Sequence, residues 1–351
     1  MSKGRILQFS AGFQLGDAIS QEMLELKKKL KSEGYTSELY SENINKPDRS
    51  YVTKFNKADI KNDDVIVYHH SIHSDVLPFI LKFKNKKILI YHNVTPNHFF
   101  EPYDLKFTYL LTEGRNDLYQ IKDQFDAYFA VSDFNKQELT ELGYRNVKLM
   151  PLNLNFSKWE SYNKSPITKK DLQFLFVGRI APNKKQNDLI KFAKIWKEKT
   201  HKNFHLKLIG FSNPNQQSYL DELEFMIKSY DLENQVEIVS YVNEEILSKY
   251  YRESNYFISM SEHEGFCVPL MEAMYFQLPV IAYKAGAIAE TLGGSGFLFS
   301  EKNYEVLVDL ILKLESTPIL KETQINHQTE RLSHYLKSTS IEPLMNYLEA
   351  K

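Results

Sequence analysis

The feature that most limits what this chain can fold into is a regular alternation of short apolar runs with amphipathic stretches, repeated in two successive series. In the first series, residues 4–9, 36–40, 64–69, 87–92 and 126–131 read as buried strands. Residues 19–33 between them place Ile19, Met23, Leu26 and Leu30 on one helical stripe. In the second series the strands are residues 173–177, 205–209, 236–239, 256–260 and 279–283, with a helix over 186–198. Strands that alternate with helices pair in parallel and are covered on both faces. The chain therefore reads as two Rossmann-like, doubly wound α/β domains facing a cleft. A polar segment, residues 153–170, has linker composition. It sets the expected domains at 1–168 and 169–325, with C-terminal helices over 326–351. Ligands of open parallel sheets bind beyond the carboxyl ends of the strands, so chemistry is to be sought in the loops that follow them.

Charge and cysteine content remove several classes of function. A formal net charge of -1 argues against nucleic acid as a partner, which would call for a strongly basic domain. Cys267 is the only cysteine, so no disulfide forms within the chain and a reducing, cytoplasmic setting is expected. The first residues carry no signal-like apolar core, and no run of ~18 apolar residues predicts a membrane span.

Four loops carry candidate chemistry. In residues 261–291, Glu264 and Gly265 follow a strand, Pro269 suits the first position of a helix, and Glu272 falls in its first turn. Backbone N–H groups near Leu270 would then favour an anion such as a diphosphate. The plainer alternative is two solvated glutamates. In residues 176–185, Gly178 ends a strand, and Arg179 and Lys184 project from the loop beyond it as phosphate ligands or as part of a solvated basic loop. In residues 10–20, Gly16 would admit a backbone amide close to a phosphate, and Asp17 or Ser20 could equally cap the following helix. This loop lacks the G-x-G-x-x-G fingerprint of dinucleotide-binding proteins. The fourth region is a set of histidines: His69, His70, His73, His92 and His98. His69 and His73 have a metal-like spacing but straddle a strand end, so no metal site is expected. Cys267 reads as packing filler, and the run Lys82, Lys84, Lys86 and Lys87 as a solvated face or a contact for anionic lipid.

The frame E-G-F-x-x-P-x-x-E-A-M from Glu264 to Met274, the following LPVIA, and G-R-x-x-x-x-K from Gly178 to Lys184 resemble the signatures of glycosyltransferases of the GT-B fold. The retaining family 4, the glycosyl transferases group 1, is the particular likeness. GDAIS, HNVTP and VSDFNKQEL are fainter echoes in the first half. The resemblance implies transfer of a hexose-type sugar from a nucleotide-diphosphate sugar to an acceptor hydroxyl, with retention. The acceptor would be a glycan or lipid-linked glycan in bacterial polysaccharide assembly.

Carried onto this chain, the resemblance implies that Glu264 binds sugar hydroxyls and Glu272 the ribose. Amides of Gly265, Phe266 and Cys267 would contact the sugar, and Arg179 and Lys184 the diphosphate. Gly16, Gly178 and Leu270 would also line the donor site. His92 would face the reacting sugar, with Asp17 and His70 on the acceptor side. No D-x-D motif precedes the donor loops, which fits transfer without a metal or other cofactor. Gln277 stands where many relatives carry glycine. The last helix is expected to cross back onto the first domain, and peripheral contact with the inner face of the membrane is a further expectation. The rival readings are a GT-B phosphorylase and a non-catalytic accessory subunit.

Overall fold

The apolar runs become two all-parallel sheets in a computed structural model, which describes residues 3–162, 167 and 170–350. The first sheet contains β1 (Arg5–Phe13), β2 (Thr36–Ile44), β3 (Thr53–Lys54), β4 (Val65–His70), β5 (Lys87–Tyr91), β6 (Ala127–Ala130) and β7 (Lys148–Leu149). Their spatial order is β3-β2-β1-β4-β5-β6-β7, so the chain reverses its winding direction beside β1. The second sheet contains β8 (Leu172–Val177), β9 (Phe204–Ile209), β10 (Val236–Val239), β11 (Tyr256–Ser259), β12 (Val280–Tyr283) and β13 (Phe297–Phe299), in the order β10-β9-β8-β11-β12-β13. This is the doubly wound α/β arrangement expected from the alternation. Two-residue strands such as β3 and β7 are too short to show any periodicity.

The helices form where the apolar stripes predict. Ala18–Ser32 buries Met23, Leu26 and Leu30 completely. Gln186–Thr200 buries Leu189, Phe192, Ala193 and Trp196. In the second core Phe174 meets the edges of Phe192 and Trp196 at ring distances of 5.3 and 5.0 Å, the edge-to-face geometry that aromatic quadrupoles favour. β1 runs four residues beyond the expected strand. Ser10, Gly12 and Phe13 pair with Ser41, Asn43 and Ile44, so the first loop shrinks to residues 14–17.

The chain divides into two compact units. The first holds residues up to Asn97, Lys106–Asn155 and the chain from Leu336 onward; the second holds His98–Leu105 and Phe156–Tyr335. The boundary expected at residue 168 lies outside the described residues. Just before it, Phe156 stacks on Tyr275 at 4.8 Å and Trp159 packs on Phe276 at 4.9 Å, which ties this polar-looking stretch to the second unit. The C-terminal segment forms helices Pro318–Ser338 and Glu342–Glu349. Among the described residues no helix is long and apolar enough to cross a membrane. The lysine run does not make one charged face. Lys87 is buried with its ammonium on the Asn85 carbonyl, and Lys86 lies 4.1 Å from the centre of the Tyr347 ring, so only Lys82 and Lys84 are exposed.

Candidate functional site

In the second unit two loops leave the carboxyl ends of neighbouring strands, β8 and β11, and are stitched together. After β8 the backbone of Gly178 donates to the Ile209 carbonyl at 2.9 Å. A Cβ on Gly210 would sit 1.9 Å from the Gly178 carbonyl oxygen, so only glycine fits there. The loop then makes a single turn over Pro182–Lys184. Asn183, fully buried in this turn, donates from Nδ2 to the His263 carbonyl at 3.2 Å, and its own carbonyl accepts from the Glu262 amide at 2.9 Å. Nothing in the local sequence marks Asn183, because its partners lie some 80 residues away.

This stitching brings Lys184 to Glu264: Nζ lies 2.6 Å from Oε2 in a largely buried ion pair. Arg179 is exposed, and among the described residues its guanidinium has no carboxylate partner, while its carbonyl accepts from Gln186 Nε2 at 2.8 Å. Lys185 and Lys191 are not free cations: they pair with Glu262 at 3.2 Å and Asp188 at 3.0 Å. The Glu264 carbonyl accepts from the Ala287 amide at 2.9 Å, and Gly286, at φ 53°, lets that approach happen.

Beyond Glu264 the Phe266 carbonyl is held by the Thr291 hydroxyl, and the Phe266 ring packs on Tyr335 at 5.4 Å. Cys267 takes a left-handed backbone conformation, φ 76°, at the start of the helix Val268–Tyr275. Burial, and then the Glu264 carboxylate, push its thiol well above the ordinary value, so it is no nucleophile.

Three details of this helix differ from the sequence reading. Pro269 is its second residue rather than its first. The Leu270 amide already donates to the Cys267 carbonyl at 3.2 Å, so it is not a bare donor awaiting an anion. Glu272 lies past the first turn and accepts from the Tyr251 hydroxyl at 2.8 Å. Burial raises the Glu272 carboxyl above its usual range, against the lowering pull of Lys158 and Tyr251.

In the first unit Gly16 has φ 90°, a conformation suited to glycine, at the turn between β1 and the helix Ala18–Ser32. Asp17 caps that helix, accepting from the amides of Ile19 at 3.1 Å and Ser20 at 3.3 Å. His70 is fully buried, its Nε2 2.8 Å from the Gly114 carbonyl and its Nδ1 3.4 Å from the Tyr68 hydroxyl. Its ring therefore cannot line an acceptor surface in this conformation. The strand end that seemed to offer it to solvent is roofed by Gly114, where a Cβ would come within 2.8 Å of the His73 backbone nitrogen. His73 pairs with Asp117 at 2.8 Å, and His98 is exposed. His92, half-buried just past β5, places Nε2 2.9 Å from Nδ1 of His69. Among the described residues no three His, Cys, Asp or Glu side chains are gathered so as to hold a metal ion.

Residues 157–331 match the family model described as glycosyl transferases group 1. The capsular polysaccharide biosynthesis glycosyltransferase CapM of Staphylococcus aureus is 23% identical over 232 residues, 64% of this chain and 59% of that protein. The chain thus spans about three fifths of the length of such curated relatives. Among solved structures, sucrose-phosphate synthase of Thermosynechococcus elongatus superposes with a TM-score of 0.76 at 16% identity, over 99% of this chain and 98% of that one. Anabaena HepE, solved with UDP-glucose, gives 0.74 at 16% identity over 98% of both chains. Residues 157–331 are thus a glycosyl transferases group 1 domain, and with its pair of doubly wound sheets the chain has the fold of the GT-B glycosyltransferases.

Proposed function

We propose that the protein is a glycosyltransferase that moves a hexose-type sugar from a nucleotide-diphosphate sugar to a hydroxyl of a glycan or lipid-linked glycan acceptor. The observation that carries this reading is the meeting of the β8 and β11 loops, where Lys184 holds Glu264 and Arg179 stands exposed without a carboxylate. A leaving diphosphate gains negative charge in the transition state, so cations fixed beside it favour that state over the bound donor. Arg179 is the open bidentate ligand. Lys184 is a point charge that a diphosphate would share with Glu264, freeing that carboxylate to accept from sugar hydroxyls. Glu272, its carboxyl raised by burial and held by the Tyr251 hydroxyl, is suited to the paired hydroxyls of a ribose.

Two protein cations supply the charge neutralisation that other transferases draw from a metal, which favours metal-independent transfer. Retention follows if the acceptor hydroxyl attacks from the face the diphosphate leaves and passes its proton to a phosphate oxygen. The capsular relative supports a place in bacterial polysaccharide assembly, and a nucleotide-sugar donor a cytoplasmic one.

The test is unfolding of the protein with UDP, GDP, ADP or dTDP in EDTA, beside the Arg179→Ala/Lys184→Ala variant. A diphosphate at ~100 times its dissociation constant adds ~2.7 kcal/mol to the folded wild type. The variant should show no such gain. If no diphosphate stabilises the wild type, the donor reading fails and the accessory-subunit alternative takes its place.

A further inference from the structure

We propose that Gln8 and His69 are positioning residues that fix His92 as its Nε2–H tautomer and leave Nδ1 as a lone pair that accepts from a hydroxyl of the bound sugar. The identity of the hydroxyl rests on the glycosyltransferase reading; the tautomer does not.

Gln8, on β1, is fully buried. Its Nε2 lies 3.2 Å from the Met23 carbonyl and 3.0 Å from the Ser37 hydroxyl. A carbonyl only accepts, so the amide must turn its NH2 that way, and Oε1 is left facing His69. His69 Nε2 lies 3.0 Å from that oxygen and must donate to it. Burial, and the nearness of His92, hold the His69 ring neutral, so its Nδ1 carries no proton and can only accept. The atom 2.9 Å from it is His92 Nε2, which must be the donor. Burial pushes His92 down to about 3, so this ring is neutral too and its Nδ1 is bare. Among the described residues nothing hydrogen-bonds to that nitrogen.

The relay crosses β1, β4 and β5, which are neighbours in the first sheet, and ends at its carboxyl edge. A neutral imidazole left to itself samples both tautomers. Here one is selected, so the site reads a hydrogen-bond donor and rejects a group that only accepts. His92 thereby orients a sugar hydroxyl rather than protonating a leaving group.

The experiment uses the full chain labelled with nitrogen-15, in which imidazole shifts separate protonated from bare ring nitrogens. Near neutral pH the wild type should show His92 with Nε2 protonated and Nδ1 bare, and His69 likewise. Gln8→Met, which keeps the volume and removes the acceptor, should mix the tautomers of both rings. With UDP-glucose as donor probe, Gln8→Met should weaken binding about tenfold, the scale of one lost hydrogen bond, while the affinity for UDP stays as in the wild type. An Nδ1–H signal on His92 in the wild type overturns the inference. So does Gln8→Met with mixed tautomers and unchanged UDP-glucose binding. If Gln8→Met does not fold, the wild-type spectrum still decides. The spectra need no ligand, so absence of any UDP or UDP-glucose binding counts against the donor reading and leaves the tautomer result standing.

Discussion

Lys184 Nζ lies 2.6 Å from Glu264 Oε2, and the two side chains are 15% and 9% exposed. Removing the lysine alone leaves a carboxylate with little water around it. Breaking such a pair from one side costs about 3 kcal/mol in a buried setting. Arg179 is exposed and unpaired among the described residues, so its loss should move stability by less than about 0.5 kcal/mol. Urea unfolding of Lys184→Ala and Arg179→Ala should therefore separate them clearly. Sugar transfer should fall on the order of 10²-fold in both, the usual result of deleting one group that stabilises a developing anion. Equal stabilities, or near-normal turnover in both variants, would sink the assignment.

Tyr251 holds Glu272 through a 2.8 Å hydrogen bond, and its ring stacks on Phe276 at 5.1 Å and on Phe257 at 6.3 Å. Tyr251→Phe keeps the stack and removes only the hydroxyl. The folded state should lose about 1 kcal/mol. If Glu272 binds the ribose, the variant's affinity for a nucleoside diphosphate should drop about tenfold, with the maximal rate little changed, because the contact is equally strong in the ground and transition states. A fall in rate with affinity intact would move Glu272 to the reacting centre.

The sequence made the two sheets legible because long apolar strands and striped helices are local patterns. It also singled out Glu264, Arg179 and Lys184 as candidates, through the two motif frames that resemble a known family. It did not show Asn183, Tyr251 or Gln8, whose partners are 80, 21 and 61 residues away and are set by packing. His70 reads as an accessible loop histidine because nothing nearby in sequence reveals that Gly114 covers it. The end of β1 is hidden in the sequence for a related reason. Ser10 and Gly12 look like turn residues, but the serine hydroxyl finds Ser41 at 3.2 Å inside the sheet.

Gly286 should tolerate no side chain. Its φ is 53°, and an added Cβ would lie 2.3 Å from the Glu264 carbonyl oxygen. Left-handed backbone costs an alanine of order 1 kcal/mol, and the backbone collision adds to it, so Gly286→Ala should lose at least about 2 kcal/mol. Because the collision falls on Glu264 itself, transfer should suffer beyond the stability loss when measured at a temperature where the variant is folded. Normal stability would mean that the loop after β12 does not brace Glu264.

Glu22 supplies a pH dependence of opposite sign to that of a salt-bridged carboxylate. It is buried in the helix Ala18–Ser32 and accepts from the backbone and side-chain N–H groups of Asn153 at 2.6 and 2.7 Å. Burial raises its carboxyl from 4.5 to about 7, against the lowering pull of Asn153 and Lys29 and with a small addition from Glu25. Below pH 4.5 the folded and unfolded chains both hold this proton, and the group contributes no slope. Between 4.5 and about 7 the folded chain keeps a proton that the unfolded chain has released. Raising the pH through that window therefore destabilises the fold, by on the order of 3 kcal/mol at about 1.4 kcal/mol per tenfold change in proton affinity. Above pH 7 both states are charged and the full penalty is present. Glu22→Gln cannot ionise, while every other carboxylate contributes equally to both proteins. The variant's stability relative to wild type should thus climb by that amount from pH 4.5 to 8 in denaturant titrations. A difference that stays flat across the window would show that Glu22 is charged in the folded protein at all these pH values, with Asn153 and Lys29 outweighing its burial.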